Sequence, residues 1–310
     1  MKILLLGKDG QVGWELQRSL ALLGDVVALG SKDREPLSGD LRDPQALAAT
    51  VRAVAPQLIV NAAAYTAVDR AESEADAARL VNATAVGALA RAAAAADAWL
   101  VHYSTDYVFD GSGSAPWSED DRTAPLSVYG RSKLEGEELV RASGCRHLVF
   151  RTSWVYSARG ANFAKTILRL ARERDALGVV DDQVGAPTGA ELLADITAHA
   201  CRRALREPSV AGTYHAVAAG ETSWFEYARH LIGVARRRGA TIRVADAAIE
   251  PIASAAYPQA ARRPLNSRLD TTRLRTVFDV SLPTWQTGVD RVVAEWIDNE
   301  PPHATRAATA

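Results

Sequence analysis

The sequence has 310 residues, 48% hydrophobic and 24% charged, a length suited to about two domains or one large nucleotide-binding domain with an added lobe, and a composition that excludes disordered and fibrous classes. A formal net charge of −1 provides no field for drawing the chain onto nucleic acid or an anionic membrane. Cys145 and Cys201 stand in neither a CxxC nor a zinc-binding spacing, which points to buried thiols in a reducing compartment. After Lys2 only "ILLL" precedes Gly7, too short an apolar run for a signal sequence, and no stretch is long enough to span a bilayer. The expected location is the cytosol.

Along the chain, "KILLLG" (2–7) predicts a strand stopped by glycine, and "QVGWELQRSLALLG" predicts a helix ending at Gly24. "VVALG" (26–30) is a second strand, and "DPQALAATVRAVAP" a helix whose start is marked by Asp43 before Pro44. "QLIVNAAAY" (57–65) reads as a third strand. The alanine-rich stretch from Ala71 to Asp97, with acids early, predicts one long helix. "WLVHYST" (99–105) and "HLVFRTS" (147–153) are the fourth and fifth strands. Between them a helix runs from near Pro125 to Gly144.

Further on, "NFAKTILRLARER", "TGAELLADITAHACRRAL" and "TSWFEYARHLIGVARRRG" have helical spacing, the last capped by Thr222 or Ser223, while "GTYHAV" is a sixth strand. Prolines at 251, 258, 264 and 283 mark irregular connections. The alternation predicts an α/β fold: a Rossmann-type doubly wound parallel sheet with a smaller, discontinuous C-terminal substrate-binding lobe. The dinucleotide-binding domain is placed at 1–153 plus about 185–217, the lobe at about 154–184 and 218–298, and a disordered tail at 299–310.

"GKDGQVG" sets Gly7, Gly10 and Gly13 between the first strand and first helix, where backbone must turn tightly and let a pyrophosphate approach the N–H groups of a helix N-terminus. Glycine also serves plain turns, and the context after a strand is what favours a dinucleotide. The second strand ends "LGSKDRE". Gly30 and Ser31 stand where an acid for a ribose 2′-hydroxyl is expected, with Lys32 and Arg34 nearby, which leans to NADPH; Asp33 keeps NADH open.

In "HYSTDYVFDG" Thr105 ends the fourth strand, and in "VYGRSKLEGE" Tyr129 and Lys133 lie one turn apart on one helical face. Alone, such a pair is an ordinary neighbour contact. With Thr105 it can form a carbonyl-reducing centre: a hydroxyl holds the carbonyl oxygen, a phenol gives it a proton, and the ammonium draws the phenol's pKa down from about 10.

The order GxxGxxG, then a threonine after the fourth strand, then YxxxK resembles the extended short-chain dehydrogenase/reductase superfamily. Within it, "VNAAAYTAVDRAESE", "FRTSWVY", "DDQVGAPTGAELLAD" and "RRPLNSRLD" make the chain, from residue 1 to about 298, similar to the dTDP-4-dehydrorhamnose reductase family. The resemblance implies reduction of the C4 ketone of dTDP-4-dehydro-L-rhamnose by NADPH or NADH, giving dTDP-L-rhamnose for cell-envelope polysaccharides. It implies that Gly10, Gln11 and Val12, with Gly7 and Gly13, meet the pyrophosphate, and that Gly30, Asp40 and Leu41 lie at the adenosine. Ala62, Ala63, Ala64, Tyr65 and Thr66 would follow the middle of the dinucleotide, and Tyr103, Tyr129 and Lys133 the nicotinamide ribose. Thr105, Asp106, Trp154, Arg263 and Ser267 would face the sugar nucleotide, Arg263 being suited to a diphosphate by its forked geometry. Glu15, Glu191 and Glu295 match positions that hold Mg²⁺ in dimeric members, which implies a metal at a homodimer interface, although three separated glutamates also serve as solvated side chains. Gly30 departs from relatives with an acid there.

Two rivals separate on residues. A sugar-nucleotide 4,6-dehydratase needs Asp-Glu after the threonine, and here Thr105 is followed by Asp106 and Tyr107. A regulatory, cofactor-sensing subunit has no need of both Tyr129 and Lys133. A related 4-keto-deoxysugar stays open as substrate.

Overall fold

The computed structural model describes residues 1–299; the expected tail lies, beyond Asn299, outside them. In β1 (Lys2–Leu6) all four apolar side chains are buried, because a strand in mid-sheet is covered on both faces. It pairs with β2 (Asp25–Leu29) on one side and β3 (Leu58–Asn61) on the other. β4 (Trp99–Thr105), β5 (His147–Thr152) and the strand Gly212–His215 continue the sheet beyond β3. Every pairing is parallel, β2 is the outer border, and the winding direction reverses between β1 and β3. Crevices at such a reversal are where open α/β sheets bind ligands.

α1 (Gln11–Leu20) ends before the predicted Gly24; the chain turns through 21–24, where Gly24 packs so closely on the Met1 carbonyl that a Cβ would lie 2.1 Å from it. α2 (Pro44–Val54) starts as expected, with the Asp43 carboxylate accepting from Gln45 and Ala46 N–H. The single helix expected over 71–97 is instead a short α3 (Val68–Ala71), then α4 (Ala75–Arg79) and α5 (Ala85–Ala95) joined by a π-helical turn, Leu80–Thr84. That turn coincides with Asn82, whose side chain accepts from Tyr65 N–H at 2.8 Å and donates to the Tyr65 carbonyl at 3.0 Å. Inserted turns of this kind are frequent at functional sites. α6 (Val128–Ala142) begins at Val128, later than Pro125, because Ser127 caps it by accepting from Gly130 N–H.

α7 (Phe163–Glu173), α8 (Ala190–Ala204), α9 (Trp224–Arg237), α10 (Thr272–Phe278) and α11 (Trp285–Asp298) complete the chain, and Ser223 is the cap of α9. Alternate side chains of β1 feed opposite layers. Ile3 and Leu5 pack with Leu16 of α1 and Leu193 of α8, and Leu4 and Leu6 with Leu47 of α2 and Leu89 of α5. A separate core lies among α7, α9 and α11, around Leu168, Tyr227, Leu231 and Val289. Its edges carry two-residue and four-residue strand pairs, including Leu177–Val180 beside Ile249–Ile252.

Candidate active site

Gly7 adopts φ +87°, and a Cβ there would lie 2.7 Å from Ala63 N. The left-handed turn and the close approach of the segment after β3 therefore both require glycine. Gly10 N–H donates to the Gly7 carbonyl and Gly10 caps α1. A cleft of about 500 Å³ opens over this turn. Gly7, Gly10, Gln11, Val12, Gly30, Ala62, Ala63, Ala64, Thr66, Tyr103, Tyr129 and Lys133 of the expected set line it. Gly13 does not: it faces inward, with its Cβ position 1.9 Å from the Gly7 carbonyl oxygen, so it serves helix packing. Tyr65, Asp40 and Leu41 are also off the lining; the Tyr65 hydroxyl donates to Glu74 at 2.5 Å, and Asp40 and Leu41 are buried beneath the loop after β2.

The end of β2 departs from the sequence reading. Arg34, a candidate for a 2′-phosphate, is ion-paired to Asp40, which Arg42 also holds at 3.0 Å. The cation beside Gly30 is Lys8, whose Nζ lies 2.6 Å from Asp33, while Asp33 also accepts from Gly30 N–H at 2.7 Å. Asp9, which lines the cleft, places its Oδ2 only 2.0 Å from where a Cβ on Gly30 would stand. Neither Lys8 nor Asp9 was legible as a site residue, because only the fold brings the glycine turn against the end of β2.

Thr105, Tyr129 and Lys133 do come together. The Tyr129 phenol lies close enough to the Thr105 hydroxyl to be influenced by it, and that hydroxyl donates to Asp106 at 2.9 Å. Lys133, fully buried, donates to the Tyr103 carbonyl at 2.6 Å and meets His102 Nε2 at 3.3 Å; His102 Nδ1 meets Asn61 at 3.2 Å. The expected lowering of the phenol by Lys133 is not what this geometry gives. Burial, then the Asp106 charge, push the Tyr129 phenol well above its ordinary value, and only the neighbouring Thr105 hydroxyl opposes them. Burial also pushes the Lys133 ammonium down to about 8, with Glu137 opposing, and the Asp106 carboxyl up to about 6. The phenol is thus held protonated, as a proton donor requires, and His102 is a buried partner that the sequence reading missed.

On the other side of the trio, Trp154, at φ +50°, stacks on Trp224 with ring centroids 3.6 Å apart. Gly185 permits this, since a Cβ there would crowd the Trp154 ring at 3.0 Å and Ser267 at 3.1 Å. A second cavity of about 410 Å³, lined by Phe163, Leu170, Gln183, Trp224, Tyr257 and Arg263, lies beside α7. Arg263 is clasped by Asp69 through two bonds, 3.0 and 2.7 Å long, so one face of its fork is already engaged. Ser267 and Asp106 are both buried at the junction.

Burial first, then the Glu191 charge, raise the Glu15 carboxyl; Arg18 opposes them and Glu295 adds to the rise. Glu191 is also 3.4 Å from Arg291. Among the described residues no group of three or more His, Cys, Asp or Glu is arranged to hold a metal ion, so one chain does not assemble the implied Mg²⁺ site. Cys145 and Cys201 are both buried and free, as expected. No described helix is long and apolar enough to cross a membrane.

A doubly wound parallel sheet with this glycine turn and cleft defines a dinucleotide-binding protein of the Rossmann type. The family described as RmlD substrate binding domain matches residues 1–297. The dTDP-4-dehydrorhamnose reductases of Salmonella typhimurium and Escherichia coli K12 are each 55% identical over 95% of this chain and 98% of their own length. The crystal structure of dTDP-4-dehydrorhamnose reductase from Bacillus anthracis in complex with NADP has a TM-score of 0.84 at 32% identity, covering 95% of this chain and 99% of that one. The chain belongs to the dTDP-4-dehydrorhamnose reductase family.

Proposed function

We propose that this protein reduces the C4 ketone of dTDP-4-dehydro-L-rhamnose to dTDP-L-rhamnose, the last step in making that sugar nucleotide, with NADPH, or NADH, as hydride source. The observation that carries this reading is that Tyr129 and Lys133 line the same cleft as Gly7 and Gly10, with Thr105 beside the phenol. When bound, the dihydronicotinamide supplies the hydride. In this reading Lys133, fixed by the Tyr103 carbonyl, holds the nicotinamide ribose. The Thr105 O–H turns from Asp106 to the ketone oxygen, and Tyr129, kept protonated, gives that oxygen its proton as the alkoxide develops.

We assign the sheet domain to 1–153 plus about 185–217 and the substrate lobe to about 154–184 and 218–298, a division supported by the separate core of α7, α9 and α11. The cavity at Trp224, which Arg263 also lines, is assigned to the nucleotide end of the substrate, and Asp106, Trp154 and Ser267 to the sugar. A cytoplasmic location fits a pathway that consumes nucleotide sugars and reduced nicotinamide. The face bearing Glu15, Glu191 and Glu295 is assigned to self-association, with Mg²⁺ supplied between copies; sedimentation with and without EDTA tests it.

The direct test is dihydronicotinamide oxidation with enzymatically made dTDP-4-dehydro-L-rhamnose. Tyr129→Phe is expected to keep NADPH affinity and lose about 10²- to 10⁴-fold in turnover. Tight dinucleotide binding without turnover in the parent protein would favour the regulatory reading. Unchanged turnover in the variant would remove Tyr129 as donor.

A further inference from the structure

We propose that Asp9 and Lys8, from the glycine-rich turn, replace the missing strand-end acid at Gly30 and set the choice between NADH and NADPH. The proposal rests on the dinucleotide reading of the cleft and goes beyond it by naming the residues that discriminate. In dinucleotide-binding sheets the end of β2 meets the adenine ribose, where a carboxylate accepts from a 2′-hydroxyl and a cation accommodates a 2′-phosphate. This chain has no side chain at that point. The space is taken by Asp9, whose Oδ2 stands 2.0 Å from the Cβ position of Gly30, and the Lys8 stem passes 3.6 Å from the same position. A carboxylate delivered from the turn therefore occupies the space of one normally delivered from the strand. Asp9 and Gly30 both line the cleft.

The two charges have different surroundings. Lys8 is held by Asp33, which is itself anchored on Gly30 N–H. Asp9 accepts no hydrogen bond from the described residues, which leaves its carboxylate to a ligand hydroxyl. Arg34 and Arg42 both pair with Asp40. Asp9 thus favours the hydroxyl form of the cofactor and opposes the phosphate, and Lys8, released from Asp33, favours the phosphate. Their balance allows both nicotinamides.

The experiment measures equilibrium dissociation constants of NADH and NADPH, by calorimetry on the whole protein without sugar nucleotide. Asp9→Ala is expected to weaken NADH and move the NADPH-to-NADH preference by about tenfold toward NADPH, the loss of one charged hydrogen bond. Lys8→Met should move it the other way. The double variant Asp9→Ala/Gly30→Asp returns the acid to the strand, with the space now cleared, and should restore NADH affinity. An unchanged preference in Asp9→Ala, or a double variant that binds NADH no better than Asp9→Ala, overturns the proposal. Failure of the parent protein to bind either nicotinamide would instead sink the dinucleotide reading, which separates the two.

Discussion

Asp106 is buried beside Tyr129, and burial pushes its carboxyl up to about 6, from an ordinary aspartate value of about 3.9. Between those values the folded chain holds a proton that the unfolded chain releases. The resulting stabilisation is fully present below about pH 4 and is lost as pH rises through about 6. Asp106→Asn lacks this dependence. Its stability relative to the parent is expected to climb by up to about 3 kcal/mol between pH 4 and 7, read as the pH dependence of the urea midpoint; a constant difference would mean that the carboxyl is not perturbed. At this scale the sequence was partly legible. Thr105, Tyr129 and Lys133 declare themselves through strand-end position and helical spacing. Asp106 follows Thr105 in the chain, but the contacts of Lys133 with His102, and of His102 with Asn61 on the neighbouring strand, are made only once the sheet assembles.

At the scale of elements, alternating apolar runs and glycine stops were enough to read β1 to β5 and α1, α2 and α6, because buried parallel strands and capped helices leave strong local signals. The π-helical turn at Leu80–Thr84 left none, since alanine-rich sequence suits an uninterrupted helix equally well. Its reason is tertiary: it aims Asn82 at both polar groups of Tyr65 and, at 3.0 Å, at Ser132 on α6, the helix of Tyr129 and Lys133. Gly136 completes the crossing, with its Cβ position 2.2 Å from the Asn82 carbonyl. Asn82→Ala strands buried backbone groups and is expected to cost about 2–4 kcal/mol, with a fall in turnover larger than the fall in NADPH affinity. Denaturant unfolding and calorimetry check the two parts, and an effect under about 0.5 kcal/mol would show that the turn is not held by this side chain.

Over the whole molecule, two cores meet along the line where Trp154 stacks on Trp224. The separation of the cavity at Trp224, assigned here to substrate, from the cleft at Gly7 and Lys133 predicts separable effects. Trp224→Ala is expected to raise KM for the sugar nucleotide by about tenfold while the NADPH dissociation constant stays within about twofold. A matching loss of NADPH affinity would place Trp224 in the wrong compartment. The border position of β2 has another consequence. A parallel sheet that stops there presents a row of unsatisfied peptide groups to water, an invitation to accretion of further strands. The strand is only five residues long and opens on exposed Asp25, so a brief margin that begins with a charge limits how far such accretion could extend. The same shortness lets the following loop fold back until Gly39 packs on the Gly30 carbonyl, so that a guarded edge and the rim of the cleft draw on one economy of chain.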